Sequence, residues 1–104
     1  MTKYRNKKTI YNGVTFDSIA ELRRYKELAL LLHAGKISGL ELQKEYELIP
    51  KQKGERSVKY KADFVYYDDD RLVVEDVKGM KTQAYIIKRK LMLKEHGIRV
   101  KEIF

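Results

Sequence analysis

Two aspartates interrupt strand-like segments of the sequence, although aspartate is among the residues least suited to strands. Asp63 lies within residues 58–67, and Asp76 lies within residues 71–78. If these segments pair around a turn centred on Asp69-Asp70, the register places Asp63 opposite Asp76. Like charges directly opposed in a sheet are unfavourable, and a hard divalent cation such as Mg²⁺ would make the arrangement attractive. The spacing therefore favours a metal site made of oxygen ligands.

The same register places Lys61 opposite Lys78. In an alternative interpretation, both aspartates lie on a solvated face of the sheet with these two lysines as their partners. In another, the register slips by one residue, so that Asp63 faces Glu75 or Val77.

A third carboxylate of interest lies at the start of a predicted helix. Ser18 and Glu21 have the spacing of a capping box, which predicts a helix from Ser18 to about residue 34 with Gly35 as its left-handed stop. The apolar face of this helix comprises Leu22, Tyr25, Leu28, Ala29 and Leu32. At about 100° per residue, Glu21 falls on this face, where an unneutralised carboxylate is costly. Glu21 either closes the capping box in solvent or joins the two aspartates in one site.

The remaining elements indicate a mixed α/β fold. Asn12-Gly13 suits a type I′ turn, which predicts an N-terminal β-hairpin. The elements that follow are predicted in the order αβββαβ: the first helix, strands 40–49, 58–67 and 71–78, a second helix from Thr82 to about residue 96 that ends at Gly97, and a strand 98–104.

Two of these elements carry an apolar face. In strand 40–49, Leu42, Tyr46 and Leu48 alternate with a polar face that comprises Glu41, Gln43, Glu45 and Glu47, which predicts a half-buried strand.

In the second helix, the predicted core arc comprises Ala84, Ile87, Leu91 and Met92. Lys88 falls within this arc and is either a snorkelling lysine or a site lysine. Ile86 and Leu93 lie on the opposite side, as Leu31 does on the first helix. They indicate either a homodimer contact or the ordinary scatter of surface leucines.

Composition limits the classes of protein. The 104 residues predict one domain, residues 1–104, and the absence of cysteine excludes disulfide, thiolate and iron–sulfur chemistry. No apolar run is long enough to span a membrane, and we expect a cytoplasmic location. The net charge of +8 favours a polyanionic partner, although solubility alone is an alternative explanation.

The arrangement as a whole resembles the PD-(D/E)XK nuclease superfamily: an αβββαβ order, a helix glutamate, Asp63 on one strand and Asp76-x-Lys78 on the next. Further motifs are similar to those of a family of short phage and prophage proteins placed in that superfamily. These motifs are Tyr4-x-Asn6-Lys7, Gly13-x-x-Phe16-Asp17-Ser18-x-x-Glu21, Leu42-Gln43, Tyr60-x-Ala62-Asp63-Phe64 and Val74-Glu75-Asp76-Val77-Lys78-Gly79. The resemblance covers almost the whole chain, with Ala62 standing where the motif has proline.

The resemblance implies a restriction-endonuclease-like core and a Mg²⁺- or Mn²⁺-dependent DNA endonuclease in phage replication, recombination or processing. Asp63, Asp76 and the carbonyl of Val77 would hold the metal, with Glu21 acting through water. Lys78 would position the attacking water or neutralise the phosphate, and Gln43 and Lys88 would be auxiliary.

The basic residues would hold the backbone of duplex or branched DNA. They are Lys3, Arg5, Lys7, Lys8, Lys51, Lys53, Arg56, Lys59 and Lys61. The alternative is a non-catalytic nucleic-acid-binding accessory module that retains the nuclease fold.

Overall fold

The computed structural model describes residues 8–104 of the chain. Over that range the protein has a mixed α/β fold, with two helices, a mixed four-stranded sheet and a separate two-stranded hairpin sheet. The elements in chain order are β1 (Thr9–Tyr11), β2 (Val14–Phe16), α1 (Ile19–His33), β3 (Ser38–Ile49), β4 (Val58–Asp68), β5 (Arg71–Val77), α2 (Gln83–His96) and β6 (Lys101–Ile103). This order confirms the predicted fold class, a hairpin followed by αβββαβ.

The N-terminal hairpin turns at Asn12 and Gly13, as predicted. Both residues have positive φ, 52° and 77°, as the two central positions of a type I′ turn require. Phe16, the last residue of β2, is fully buried in a cluster with Leu28 of α1. The hairpin is therefore packed against the helix that follows it.

The main sheet has the strand order β3-β4-β5-β6. The first three strands are antiparallel, and β6 is parallel to β5 because α2 provides the crossover connection. Val74 of β5 packs in a core cluster with α2, whereas its neighbour Val73 packs in a cluster with α1. Since successive strand residues point to opposite faces, the two helices cover opposite faces of the sheet.

β3 changes faces near its middle, contrary to the sequence prediction. The prediction that Leu42, Tyr46 and Leu48 share one face is wrong: Leu42 packs in the α1 cluster, while Tyr46 and Leu48 pack in the α2 cluster. Gln43 has a φ of 59°, in the left-handed region that non-glycine residues rarely adopt. This single residue turns the strand over.

β4 changes faces at Asp63. Ala62 packs in the α2 cluster, and Phe64, two residues further on, packs in the α1 cluster. The cross-strand partners of Ala62 and Phe64 on β3 flank Gln43. Asp63 therefore lies across from Gln43, and both strands are irregular at the same point.

Both helices begin and end where the sequence predicts. The side chains of Ser18 and Thr82 cap the two N-termini by accepting backbone hydrogen bonds. Gly35 follows α1 with a φ of 76°, and Gly97 ends α2 with a φ of 67°, both in the left-handed conformation that glycine favours. Within residues 8–104, no helix is long and apolar enough to cross a membrane.

The core face of α2 matches the prediction only in part: Leu91 and Met92 pack in the core cluster, as predicted. Tyr85 and Met92 are buried, and Ile86 packs against the same cluster, whereas Ala84 and Ile87 are exposed, Ile87 by 56%. The Tyr85 hydroxyl donates a hydrogen bond to a carboxylate of β6, and this long-range contact fixes the rotation of the helix. Ile86 therefore faces the core, and the prediction that it lies on the outward side of α2, in a dimer contact, is wrong.

Strand β6 is shorter than the predicted strand 98–104. Only Lys101–Ile103 pairs with β5, and Val100 just before it is buried in the α2 cluster. The backbone N–H of Lys78 donates to the carbonyl of Ile103 at 2.9 Å. The C-terminal strand thus holds the chain segment that leaves β5.

Candidate active site

A cleft of about 460 Å³ opens where β4 and β5 separate. The ladder between these strands ends at the pair Phe64 and Glu75. Beyond it, the Asp63 carboxylate replaces the backbone as the partner of β5, and its Oδ2 accepts a hydrogen bond from the Val77 N–H at 2.8 Å. The N-terminal ends of both helices also line the cleft, so strand divergence and two helix starts together form it.

The register between β4 and β5 is the predicted one. Every cross-strand pair from Asp68 with Arg71 to Phe64 with Glu75 follows the turn centred on Asp69-Asp70. The alternative of a one-residue slip is therefore wrong.

The predicted opposition of Lys61 and Lys78 does not form. The β4–β5 ladder ends before these residues. On the other edge of β4, Lys61 pairs with Glu45 of β3. Both lysines nevertheless line the cleft, so its rim carries two cations near the acidic side chains.

Asp76 is only 3% exposed, although it lies in the cleft. Its Oδ1 lies 3.1 Å from the Lys78 Nζ, and its Oδ2 accepts a hydrogen bond from the Tyr60 hydroxyl. The same Lys78 Nζ lies 4.1 Å from the centre of the Tyr85 ring, an attractive cation–π distance. The ammonium is thus held between a carboxylate and an aromatic face.

Asp63 has an environment that opposes ionisation. Burial and the neighbouring Asp76 carboxylate raise the pKa of Asp63 to about 8, and the hydrogen bond from Val77 only partly offsets them. Glu21 raises it further. The three carboxylates are therefore close enough to repel one another.

Glu21 points into the cleft and not into solvent. It is 4% exposed, and its Oε1 accepts a hydrogen bond from the Gln43 Nε2 at 3.0 Å. Burial, followed by the charges of Asp17 and Asp76, raises the pKa of Glu21. The solvated capping-box interpretation of this side chain is therefore wrong, although the Ser18 Oγ does accept from the Glu21 N–H.

The structure brings most of the predicted site residues to one place. The cleft is lined by Glu21, Gln43, Asp63, Asp76, Val77, Lys78 and Lys88. The left-handed conformation of Gln43 accompanies its hydrogen bond to Glu21, and Lys88 lies on the side of α2 that faces the cleft.

The predicted DNA-binding residues are more dispersed. Lys61 lines the cleft, while exposed positions in β4 and in the loop before it are occupied by Lys51, Lys53, Arg56 and Lys59. Lys8 is exposed and lies 3.7 Å from Asp17. The predicted contacts at Lys3, Arg5 and Lys7 lie outside the described residues.

Sequence reasoning missed two tyrosines at this site. Tyr60 bonds Asp76, and Tyr85 stacks under Lys78 while its hydroxyl donates to Glu102 at 2.8 Å. Tyrosine is an ordinary residue in a half-buried strand or helix, so its type alone gave no signal. The only indication that Tyr60 belongs to the site was its position two residues before Ala62 in the motif Tyr60-x-Ala62-Asp63-Phe64.

A buried ion pair on the other face of β5 was also missed. Glu75 is fully buried and accepts two hydrogen bonds from Arg24 of α1, at 2.8 Å from Nε and 2.7 Å from Nη2. The Tyr66 hydroxyl donates to the same carboxylate. Glu75 therefore stabilises the contact between α1 and the sheet. Its position on the face opposite Asp76 is the one expected for neighbouring residues of a strand.

The donor chemistry of the cleft suits a hard divalent cation. Buried carboxylate oxygens that repel one another are the ligands that Mg²⁺ and Mn²⁺ prefer. Within residues 8–104, no group of three or more His, Cys, Asp or Glu side chains is arranged to hold a metal ion. The close pair Asp63 and Asp76 therefore fits such an ion only together with other oxygen donors.

The fold and the cleft define a mixed α/β protein with a buried acidic site between two diverging strands. The chain belongs to the DUF1064 family, described as a protein of unknown function, whose model matches residues 1–103. No curated protein and no solved structure matches the chain.

Proposed function

We propose that the protein is a Mg²⁺- or Mn²⁺-dependent DNA endonuclease that hydrolyses phosphodiester bonds. The observation that carries the proposal is the pairing of Asp63 and Asp76 in the cleft, with the Lys78 ammonium 3.1 Å from Asp76. Ordinary sheet construction does not require two buried carboxylates in repulsion. A bound cation gives them a function.

The proposed ligands are the carboxylates of Asp63 and Asp76 and the backbone carbonyl of Val77, with Glu21 contributing through water. When bound, the cation would lower the pKa of a bound water and screen the charge on the phosphate. Gln43 would orient Glu21 through the hydrogen bond that the two side chains make.

Lys78 would bind the phosphate or position the attacking water. In the cleft, its ammonium contacts the Asp76 carboxylate and the face of the Tyr85 ring. A cation at this place would stabilise the negative charge that develops on the phosphate during hydrolysis. Lys88, which also lines the cleft, would add a second contact to the substrate.

The proposed substrate is duplex or branched DNA, cut to a 5′-phosphate and a 3′-hydroxyl. The net charge of +8 supports binding to a polyanion. The N-termini of α1 and α2 at the cleft also support it, because the positive ends of two helix dipoles favour phosphate there.

We further propose that the family falls within the PD-(D/E)XK superfamily. This member would act in phage DNA replication, recombination or processing in the host cytoplasm. The αβββαβ order and the shared cleft of Glu21, Asp63, Asp76 and Lys78 support this placement. A homodimer contact through the exposed Leu31 and Leu93 is part of the same proposal.

Two observations favour a second candidate, a non-catalytic nucleic-acid-binding module. Both oxygens of Asp76 already have partners, Lys78 and Tyr60, and no group of three acids arranged for a metal exists among residues 8–104. In such a module Lys78 would serve as the permanent neutralising partner of Asp76.

Two variants separate these candidates. Asp76→Asn removes one charge from the proposed ligand set while keeping the shape of the side chain, so Mn²⁺ binding by calorimetry and plasmid cleavage should both be lost. Lys78→Ala should abolish cleavage yet retain Mn²⁺ binding, because the ammonium acts on water and phosphate. DNA binding should persist in both variants.

Asp70→Asn in the β4–β5 turn is the matched control, since it makes the same chemical change outside the cleft. Circular dichroism and urea denaturation would verify that the variants fold. If wild type and variants all bind DNA alike and none cuts DNA with Mg²⁺ or Mn²⁺, the module is the better account.

A further inference from the structure

The Asp76 carboxylate is covered even though it faces an open cleft. Only 3% of the residue is exposed. The covering groups are the Tyr60 hydroxyl at Oδ2 and the Lys78 ammonium at Oδ1, and both of these side chains line the cleft. A cation that enters the cleft therefore meets these two groups before it reaches the carboxylate.

The two covering groups differ in freedom. The Lys78 side chain is 23% exposed and has four rotatable bonds, so its ammonium can move while it stays in the cleft. The Tyr60 ring is buried in the α2 cluster, and its hydroxyl is held at Asp76. In this hydrogen bond the phenol is the donor and Oδ2 of Asp76 the acceptor.

We infer that Tyr60 sets the cation affinity of the site, because its hydroxyl competes with a divalent cation for Oδ2 of Asp76. The inference rests on the proposed function, since it requires that the cation binds at Asp76. The hydrogen bond from Tyr60 to the charged Asp76 must be broken when the cation binds. A variant without the Tyr60 hydroxyl should therefore bind the cation about tenfold more tightly.

If Tyr60 instead supports the ligand Asp76, its loss should change the metal affinity in the opposite direction. A hydroxyl that supports a metal-ligating carboxylate without competing orients the ligand, and its loss typically weakens metal binding about 10- to 100-fold. Tyr60→Phe therefore distinguishes competition from support by the direction of the change.

The chain supplies a closely matched control in Tyr66→Phe. Tyr66 lies on the same strand, is also buried, and its hydroxyl donates to Glu75, the neighbour of Asp76 on the opposite face. Both variants thus remove one buried hydroxyl from a carboxylate of β5, and only Tyr60→Phe changes the cleft.

The test is calorimetric titration of the full chain with Mn²⁺ in the absence of DNA. Tyr60→Phe should bind Mn²⁺ about tenfold more tightly than wild type, and Tyr66→Phe should stay within about twofold. Binding by Tyr60→Phe where wild type shows none would support the inference equally.

Near-ultraviolet difference spectra of the unmutated protein provide a second readout if Tyr60→Phe does not fold. The chain has no tryptophan, so Mg²⁺ should produce a tyrosine blue shift as Tyr60 loses its charged acceptor. Tyr85 donates to Glu102 and keeps its acceptor. A folded Tyr60→Phe variant should lack the shift.

Two results would overturn the inference, and they are distinguishable. If wild type binds Mn²⁺ and Tyr60→Phe binds it equally or less tightly, Tyr60 does not compete, and the endonuclease proposal stands. If neither protein binds Mn²⁺ and Mg²⁺ causes no spectral shift, the inference and the metal-dependent function both fail.

Discussion

Asp63 links the chemistry of the cleft to the stability of the protein. Burial and the neighbouring Asp76 raise the pKa of Asp63 from 3.8 to about 8. The folded state therefore holds this proton more tightly than the unfolded state does. As pH rises between these two values, the contribution of Asp63 to the free energy of unfolding falls.

We predict that the metal-free protein is less stable at about pH 8 than at about pH 5, and that Asp63→Asn removes most of this difference. The raised pKa of Glu21 acts in the same direction. The measurement is urea denaturation in EDTA at both pH values, with Asp70→Asn as the control outside the cleft.

The titration of Glu102 has little effect on the comparison of stability at the two pH values. Its burial is outweighed by hydrogen bonds from Tyr85, Lys81 and Arg89, which lower the pKa of Glu102 to about 2. It is ionised in both folded and unfolded chains across most of the tested range. An unchanged pH dependence in Asp63→Asn would show that the carboxylates do not interact as described.

At the residue scale, the sequence predicted the carboxylates and missed their neighbours. Asp63 and Asp76 were detectable because aspartate is unfavourable in strands and the turn defined their register. Gln43 could be named only as an auxiliary residue, since its left-handed φ depends on the surrounding structure. Tyr60 was visible only as part of the motif Tyr60-x-Ala62-Asp63-Phe64, and a tyrosine in a strand does not by itself indicate a role at Asp76.

At the scale of elements, a buried ion pair connects α1 to β5. Arg24 makes two hydrogen bonds to the fully buried Glu75. Glu21 lies one helical turn before Arg24, and Asp76 follows Glu75 on the strand. The ion pair on one face therefore helps to fix the position of Glu21 relative to Asp76 in the cleft.

Arg24→Met should lower the free energy of unfolding by about 3 kcal/mol, because it leaves Glu75 as a buried charge without its cationic partner. Urea denaturation near neutral pH measures the change. Glu27→Gln is the control, since it removes only the exposed partner of Arg24, 3.0 Å away, and should cost less than about 1 kcal/mol. Equal effects of the two variants would contradict this account.

The elements were more predictable than the faces that they bury. Local signals such as Ser18, Gly35 and Gly97 defined both helix ends, because caps depend on nearby backbone geometry. The buried face of α2 was predicted only in part: Leu91 and Met92 pack in the core, whereas Ala84 and Ile87 are exposed. Tyr85 is buried there and donates a hydrogen bond to a distant carboxylate on β6. Long-range contacts of this kind have no counterpart in local periodicity.

At the scale of the whole molecule, three lysines line an acidic cleft: Lys61, Lys78 and Lys88. The net charge of +8 is a property of the sequence, whereas the position of Lys61 at the cleft follows from the ladder that β4 forms with β3. Lys36 follows α1 at its other end, about 22 Å along the helix axis from the end that lines the cleft. Charge near the cleft should therefore matter more than charge elsewhere.

We predict that DNA affinity, measured in EDTA to prevent cleavage, falls steeply with added salt and shows little sequence preference. Lys61→Ala should reduce the slope of log affinity against log salt by about one, as expected for one lost phosphate contact. Lys36→Ala should leave the slope unchanged. A flat salt response in the wild-type protein would contradict binding through the phosphate backbone.

Cleavage of supercoiled plasmid and of branched DNA by the full chain, with Mg²⁺ or Mn²⁺ and in parallel with EDTA, tests the central claim most directly. We predict nicked or linear products with 5′-phosphate ends when the cation is present, and none in EDTA or with Asp63→Asn. Intact substrates in every cation condition, from a protein that binds both Mn²⁺ and DNA, would contradict the assignment of this cleft as a nuclease site.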